Sequence, residues 1–211
     1  MGPSDDAAPL AAGRVGPWLD GMGAALAGTA ASDVQCGSCT ACCRSSQFVP
    51  VGPDELDALD HIPSALLFPA PRRPGHQVMG YDEHGHCPML VDDACSIYEH
   101  RPRACRTYDC RVFAAADVEP DRTTQPEVAT RVGRWRFEVA EEADRVHLEA
   151  VRAASRYVRD RSAELPRELA PTTPVQHAVL AVRLHRAFVE SASDEPDETI
   201  MAELVADLAP D

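Results

Sequence analysis

The chain of 211 residues contains no lysine and no asparagine, and all 20 of its basic residues are arginine. Without lysine it has no residue for an enzymatic Schiff base and none for the phosphate-binding P-loop. Without asparagine it has no acceptor for N-linked glycosylation. The composition alone therefore excludes these chemistries.

Positive charge and long hydrophobic runs are also scarce. Acidic residues number 34, and the formal net charge is −14. A protein that binds duplex nucleic acid needs a cationic surface that displaces counterions, and binding to an anionic membrane needs the same. No apolar run approaches the roughly 20 residues that span a bilayer, and the N-terminus lacks the basic region of a signal peptide. We therefore expect a cytoplasmic protein that binds neither nucleic acid nor membrane.

Cysteine is unevenly distributed along the chain. All 8 cysteines lie between positions 36 and 110, and none follows. In a reducing compartment, clustered cysteines are more often metal ligands or redox centres than disulfides. Burial of a small apolar thiol explains one or two cysteines but not eight in one window. The distribution therefore predicts a metal-binding segment.

The first half of the cluster reads Cys36-Gly-Ser-Cys39-Thr-Ala-Cys42-Cys43. Steps of three residues along a 3₁₀-like turn bring thiols to one side, and the first three cysteines share the bacterial ferredoxin spacing. The ferredoxin ending, a Cys-Pro three residues later, is missing. Cys43 directly follows Cys42, so its side chain is expected to point elsewhere and to serve a second site or remain free.

The second half of the cluster contains Cys87, Cys95, Cys105 and Cys110. Their spacings match no ordinary zinc finger, but they suit ligands that project from short strands and a turn. Two sites of four thiolates each, or one such site with four spare cysteines, are both compatible with the count. Each site could hold zinc or an iron–sulfur cluster.

Arginines and a tyrosine lie among the second group of cysteines. Arg101, Arg103 and Arg106 can offset thiolate charge without binding the metal themselves. Tyr98 and Arg101 are interpreted either as contacts to the bound cofactor or substrate, or as a core residue and a surface ion pair. We therefore take Arg101, Arg106 and Tyr98 as candidate cofactor-binding residues.

Histidines are the alternative ligands, because an imidazole can replace a thiolate on zinc or iron. His84 and His86 both closely precede Cys87, and His100 lies between Cys95 and Cys105. The remaining histidines are interpreted as surface or core residues: His61, His76, His147, His177 and His185.

The two cysteine groups together resemble the YkgJ-like cysteine-cluster family, also written CxxCxxCC. The resemblance covers about residues 34–113 and implies a domain that chelates zinc or iron, with all eight cysteines as candidate ligands. The cysteine pattern is also similar to that of the flagellin lysine N-methylases, in which it implies an iron–sulfur cluster linked to methyl transfer. The motifs that carry the resemblance are Cys36 to Cys43, Gly85-His-Cys87-Pro-Met-Leu90, Cys95-Ser-Ile-Tyr-Glu-His-Arg-Pro102, Cys105-Arg106 and Tyr108-Asp-Cys110.

The sequence predicts an α+β fold with four segments. Residues 1–16 are expected to be disordered, and residues 17–33 to form a possible helix. Residues 34–115 are predicted to form an irregular metal-binding domain with short strands, and residues 116–211 a mainly helical region.

Within the cysteine segment, short strands are predicted at residues 48–51, 78–81, 87–91 and 95–98, with a turn at Asp92-Asp93. Four prolines predict an irregular loop over residues 62–75.

Beyond residue 115 the pattern is helical. Thr124-Gln-Pro126-Glu127 is a capping-box candidate, and apolar residues then recur at helical spacing and predict one long amphipathic helix to about residue 163. Thr173 begins a second predicted helix that runs through Phe188, and residues 194–197 begin a third. Their apolar stripes predict that these helices pack together or against the cysteine segment.

These patterns predict a metal-binding protein, with a [4Fe–4S] cluster favoured over iron alone or zinc. Cys36, Cys39 and Cys42 are the strongest candidate ligands, and the fourth is expected from the second cysteine group. Such a centre would serve a redox or group-transfer reaction on a small-molecule or protein substrate, as in an oxidoreductase or a methyl-transfer enzyme. The alternative is a structural zinc-binding interaction module without catalytic activity.

Overall fold

The computed structural model describes residues 8–34, 36–71, 73–167, 169–189 and 195–208. The fold is α+β as predicted, and 48% of the described residues are helical and 11% lie in strands, so helices dominate the architecture. Among the described helices, none combines the length and apolar character that crossing a bilayer requires.

The described residues form seven short strands in three small sheets. The strands are β1 (Leu10–Arg14), β2 (Val49–Val51), β3 (Leu67–Pro69), β4 (Gln77–Met79), β5 (Leu90–Val91), β6 (Ala94–Cys95) and β7 (Trp135–Glu138). The α-helices of the same residues are α1 (Val15–Leu26), α2 (Leu56–His61), α3 (Arg103–Thr107), α4 (Arg111–Ala116), α5 (Pro126–Val132), α6 (Glu142–Arg161), α7 (Pro174–Leu184) and α8 (Glu198–Leu208).

The chain divides into two compact units. The helical unit comprises Met1–Gly23, Cys110–Pro120 and Val132–Asp211, and the cysteine unit comprises Ala24–Asp109 and Asp121–Arg131. These units are not consecutive segments like those predicted from the sequence, because the N-terminal part groups with the later helices.

A parallel pair of strands, β1 and β7, belongs to the helical unit. Leu10 pairs with Trp135 at one end and Arg14 with Glu138 at the other, with an irregularity before Gly13. Gly13 has φ +87°, a conformation that glycine adopts without steric cost. The prediction of disorder over residues 1–16 is therefore wrong for β1 and for the start of α1, and residues 1–7 lie outside the described part.

The predicted long helix that ends at about residue 163 is also wrong, because β7 interrupts it. Helix α5 ends at Val132, a turn follows, and α6 begins only at Glu142. Glu141 caps α6 in a capping box with Asp144, in which each side chain accepts from the other residue's backbone N–H. Residues 135–138 are extended because β7 pairs with the distant strand β1. Apolar periodicity within residues 126–163 carries no information about that pairing.

Helices form the core of the helical unit. Helix α6 packs against α7 and the 3₁₀ turn His185–Phe188, and α4 packs against both α6 and α7. The predicted helix start at Thr173 is confirmed, since its side chain accepts a 3.3 Å hydrogen bond from Gln176 N. The third helix was predicted to begin at residues 194–197, of which residue 194 lies outside the described residues. Asp197 accepts hydrogen bonds from backbone N–H groups in the first turn of α8. Fully buried side chains of this unit include Val15, Val112, Phe113, Val151, Val158 and Leu184.

The cysteine unit contains small antiparallel sheets. Strands are ordered β2-β4-β3 in one sheet, and β5 and β6 form a hairpin. Asp92 and Asp93 connect the hairpin with φ +49° and +59°, the two left-handed residues of a type I′ turn. Strand β3 lies within the predicted irregular loop over residues 62–75, so that prediction is wrong in part. The buried cluster of this unit contains Val51, Ala58, Ile62, Met79, Met89 and Ile97.

Candidate metal centre

The first cysteine group follows two tight turns. The Cys39 N–H donates to the Cys36 carbonyl at 2.8 Å, closing a turn in which Gly37 has φ +54°. A 3₁₀ turn over Ala41–Arg44 follows, and the Cys43 N–H donates to the Thr40 carbonyl at 2.9 Å. The small residues between the cysteines permit these turns, as the spacing predicts.

Backbone hydrogen bonds connect the second cysteine group to the first. The Cys87 N–H donates to the Cys43 carbonyl at 2.7 Å, and the Ser46 N–H donates to the Gly85 carbonyl at 2.8 Å. Gly85 has φ +79°, and an added Cβ there would collide with the Ser46 hydroxyl. Glycine is therefore required where the two cysteine groups meet.

A cavity of about 440 Å³ lies between these segments. Short elements position the later cysteines around it: Cys95 ends β6, and Cys105 lies in α3. Seven cysteines line the cavity, namely Cys36, Cys39, Cys42, Cys43, Cys87, Cys95 and Cys105. The structure thus brings together seven of the eight predicted ligands.

Cys110 is not among the residues that line this cavity. It belongs to the helical unit, where it precedes α4 and its sulfur accepts a 3.2 Å hydrogen bond from Trp135 Nε1. This contact lies between residues 25 positions apart in the sequence, and no spacing rule indicates it.

The cavity thiols resist ionisation in one another's presence. Burial raises the pKa of Cys36, and the charges of Cys42 and Cys39 raise it further. Burial, followed by the charges of Cys42, Cys87 and Cys95, raises the pKa of Cys105 to about 12. Several thiolates can coexist here only when a cation offsets their charge.

Cys42 and Cys43 are direct neighbours in the cavity wall. A hydrogen bond between the two thiols, followed by burial, raises the pKa of Cys42. The expectation that Cys43 points away from Cys42 is therefore wrong, because the 3₁₀ turn keeps both side chains at the same cavity. No second site is needed to place Cys43.

Arg101 and Tyr98 line the cavity together. The Arg101 guanidinium carbon lies 3.5 Å from the centre of the Tyr98 ring, and its Nε donates to the Tyr98 carbonyl at 2.7 Å. The positive charge lowers the pKa of Cys36 and of Cys105 against the opposing effects. Tyr98 is 48% exposed, so its interpretation as a core residue is wrong.

The other two arginines do not line the cavity. Arg103 forms an ion pair with Asp54, and its backbone N–H donates to Glu55. The Arg106 carbonyl accepts a 2.8 Å hydrogen bond from the Ser32 N–H. Of the three arginines predicted to offset the thiolate charge, only Arg101 lines the cavity.

The candidate histidine ligands also lie away from the cavity lining. The backbone N–H groups of His84 and His86 donate to the Asp82 carboxylate at 2.9 and 2.8 Å, which organises the turn before Cys87. His100 Nδ1 lies 3.0 Å from the Asp57 carboxylate. At this cavity, therefore, the fold gathers the predicted thiols and not the predicted histidines.

Sequence reasoning missed the apolar part of the cavity wall. Phe48, Met79, Met89 and Ile97 line it beside the cysteines. Phe48 is 64% exposed, so the wall continues to the protein surface. Alternating apolar residues in the short strands were the available signal, but they predict burial rather than a site.

Seven thiols and one guanidinium around a single cavity define a metal-chelating thiolate domain, since thiolates select zinc and iron–sulfur centres. Residues 35–128 match the family CxxCxxCC, described as "Putative zinc- or iron-chelating domain". Residues 35–128 are thus similar to that family, which agrees with the resemblance found in the sequence and supports metal binding. No curated protein and no solved structure matches the chain.

Proposed function

We propose that the cysteine unit holds an iron–sulfur cluster, with [4Fe–4S] favoured, and that this centre serves a redox or group-transfer reaction. The observation that supports the proposal is the cavity of about 440 Å³ lined by seven cysteines. When bound, such a cluster supplies electron transfer.

The separation of the sulfurs favours a group larger than one ion. Four thiolates on a single zinc ion lie about 3.8 Å apart, as follows from zinc–sulfur distances of about 2.3 Å. Nowhere among the described residues do three cysteine sulfurs lie within 4.8 Å of one another. A cluster with several iron atoms suits this wider arrangement better than a single zinc ion.

Electrostatic coupling among the thiols supports Cys42 as a ligand close to both cysteine groups. Its charge raises the pKa of Cys36, Cys87 and Cys105, so it lies close to members of both cysteine groups. We propose Cys36, Cys39 and Cys42 as three ligands, with the fourth from Cys87, Cys95 or Cys105.

The residues of the chain that touch the cavity have separate tasks in this proposal. Arg101 offsets part of the negative charge, and its stacking on Tyr98 keeps the guanidinium in place. Exposed Phe48 and Tyr98 leave room at the cavity for a small molecule or a protein substrate. None of the eight cysteines, all of which lie in the described residues, forms a disulfide, and we propose a reducing, cytoplasmic location in which the cavity thiols remain available to metal.

Anaerobic purification followed by metal and sulfide analysis tests this proposal. We expect brown protein with broad visible absorption and with iron and acid-labile sulfide in equal amounts. Colourless protein that holds stoichiometric zinc and no sulfide would contradict the proposal. That result would favour a structural zinc module whose closed thiolate site has no open coordination position.

A further inference from the structure

A second group of metal-ligand side chains lies in the cysteine unit outside the thiol cavity. Asp57, His61 and His100 each place one ligand atom within 4.8 Å of the others. We propose that these residues bind a divalent cation that prefers nitrogen and oxygen ligands, with zinc as the best match. None of the three residues lines the thiol cavity.

Two short elements bring these side chains together. Asp57 and His61 are four residues apart in α2 and therefore lie on one face of the helix. His100 ends the 3₁₀ turn over Tyr98–His100. The site thus joins α2 to the segment that leads into the last cavity cysteine, Cys105.

The distances between ligand atoms suit a single ion. His100 Nδ1 lies 3.0 Å from Asp57 Oδ1, and His61 Nδ1 lies 3.7 Å from the same oxygen. Ligands on a tetrahedral zinc ion lie about 3.4 Å apart, because zinc–nitrogen and zinc–oxygen distances are about 2.1 Å. The two measured separations fall on either side of that value, so small side-chain rotations complete the arrangement.

Binding of an ion would change the packing of the two imidazole rings. The rings of His61 and His100 stack with centres 3.5 Å apart and planes 4° from parallel. In-plane lone pairs of parallel rings do not converge on one ion, so the rings must tilt, and His61 must release its 2.8 Å contact with the Asp57 carbonyl. All three side chains are at least 40% exposed, which leaves space for this adjustment.

The donor set determines the chemistry of the site. Two imidazoles and one carboxylate fill three positions on zinc and leave one for water or an external ligand. The thiol cavity offers a softer donor set, so the two centres differ in metal preference. Because Arg101 directly follows His100, an ion bound here would fix the segment that carries the cavity guanidinium.

Zinc titration of the full-length protein, with its thiolate centre already loaded, tests the proposal. Isothermal titration calorimetry should detect one additional equivalent of zinc in the wild type. We expect His61→Ala and His100→Ala to weaken this binding at least tenfold, and the conservative Asp57→Asn to weaken it while keeping the fold. His76→Ala, which changes a histidine of the same unit outside the group, is the matched control and should bind zinc as the wild type does.

The absence of an additional equivalent in the wild type would overturn the proposal. Equal zinc affinity in the wild type and in both histidine variants would also overturn it. The metal and sulfide content of each sample is measured before titration, so failure of this site is distinguishable from failure of the proposed iron–sulfur centre.

Discussion

The two units of this protein differ in what stabilises them. In the helical unit, long helices bury large apolar side chains such as Phe113, Val151 and Leu184 almost completely. In the cysteine unit the buried cluster has only six members, and the elements around it are short. Hydrophobic burial therefore accounts for the helical unit, whereas we expect the stability of the cysteine unit to depend on what its thiols bind.

The units also differ in how they neutralise buried charge. In the helical unit, the Asp144 carboxylate accepts hydrogen bonds from backbone N–H groups of Gly16, Ala140 and Glu141 and from Arg14. In the cysteine unit, the thiols raise one another's pKa, and Arg101 only partly offsets this effect. One unit satisfies its charge with protein groups, and we expect the other to need a cation when its thiols ionise.

Metal removal should therefore unfold the cysteine unit and leave the helical unit intact. This is the largest effect we expect, because a structural metal supplies about 10 kcal/mol or more to a small domain, comparable to its whole stability. Hydrogen–deuterium exchange before and after anaerobic chelation measures the effect, with amides of α6 and α7 as an internal control. Unchanged protection of the cysteine unit in the metal-free protein would contradict this comparison.

Single cysteine substitutions should have the next largest effect, and they should differ between the two units. Cys39→Ser should release most of the metal, because a hydroxyl does not replace a thiolate ligand. Cys110→Ser is the matched control, since Cys110 belongs to the helical unit, and it should retain the metal. The measurement is the metal content per chain of each variant. Equal loss of metal in both variants would show that Cys110 is a ligand.

The charge of Asp144 should make the helical unit sensitive to acid. Hydrogen bonds, first of all from the Gly16 N–H, lower the pKa of Asp144. Its contribution is therefore complete above the ordinary Asp pKa of about 3.9 and is lost as the pH falls through the lower folded value. Asp144→Asn should lower the melting temperature at neutral pH, and the difference from the wild type should shrink in acid.

The exposed carboxylate of Glu142, which pairs with Arg145, provides the control for this effect. Glu142→Gln should change the melting temperature much less, because exposed ion pairs contribute little. An equal loss of stability in both variants would contradict the role of the buried carboxylate.

Arg101 should tune the metal centre without being required for it. Arg101→Gln should weaken metal binding about tenfold, since groups that support metal ligands typically contribute 10- to 100-fold to affinity. Arg103→Gln is the matched control, because Arg103 pairs with Asp54 and does not line the cavity. Competition with a chelator gives both affinities, and identical values for the two variants would remove Arg101 from the site.

The smallest effect concerns the hydrogen bond between Trp135 and Cys110. Trp135→Phe removes the Nε1 donor and should cost the helical unit about 0.5–1.5 kcal/mol. A double-mutant cycle with Cys110→Ala isolates the contribution of this bond from lost packing. A coupling energy of zero would show that the contact contributes nothing to stability.

Local patterns predicted the cysteine unit better than the helical unit. The steps of three residues from Cys36 to Cys42 predicted tight turns, and Asp92-Asp93 predicted the hairpin turn, because both depend on neighbouring residues. The pairing of β1 with β7 joins segments more than 120 residues apart, so no local periodicity indicated it. No local pattern indicated the contact between Cys110 and Trp135 either, because these residues are 25 positions apart in the sequence.

Cysteine-resolved alkylation, with and without the metal, tests most directly that the thiolate centre belongs to the cysteine unit. Iodoacetamide labelling of the native protein, read by mass spectrometry, reports each thiol separately. We expect the seven cavity cysteines to become reactive together when the metal is removed, while the labelling of Cys110 stays unchanged. Metal-dependent protection of Cys110, or equal labelling of the other seven cysteines with and without metal, would contradict this assignment.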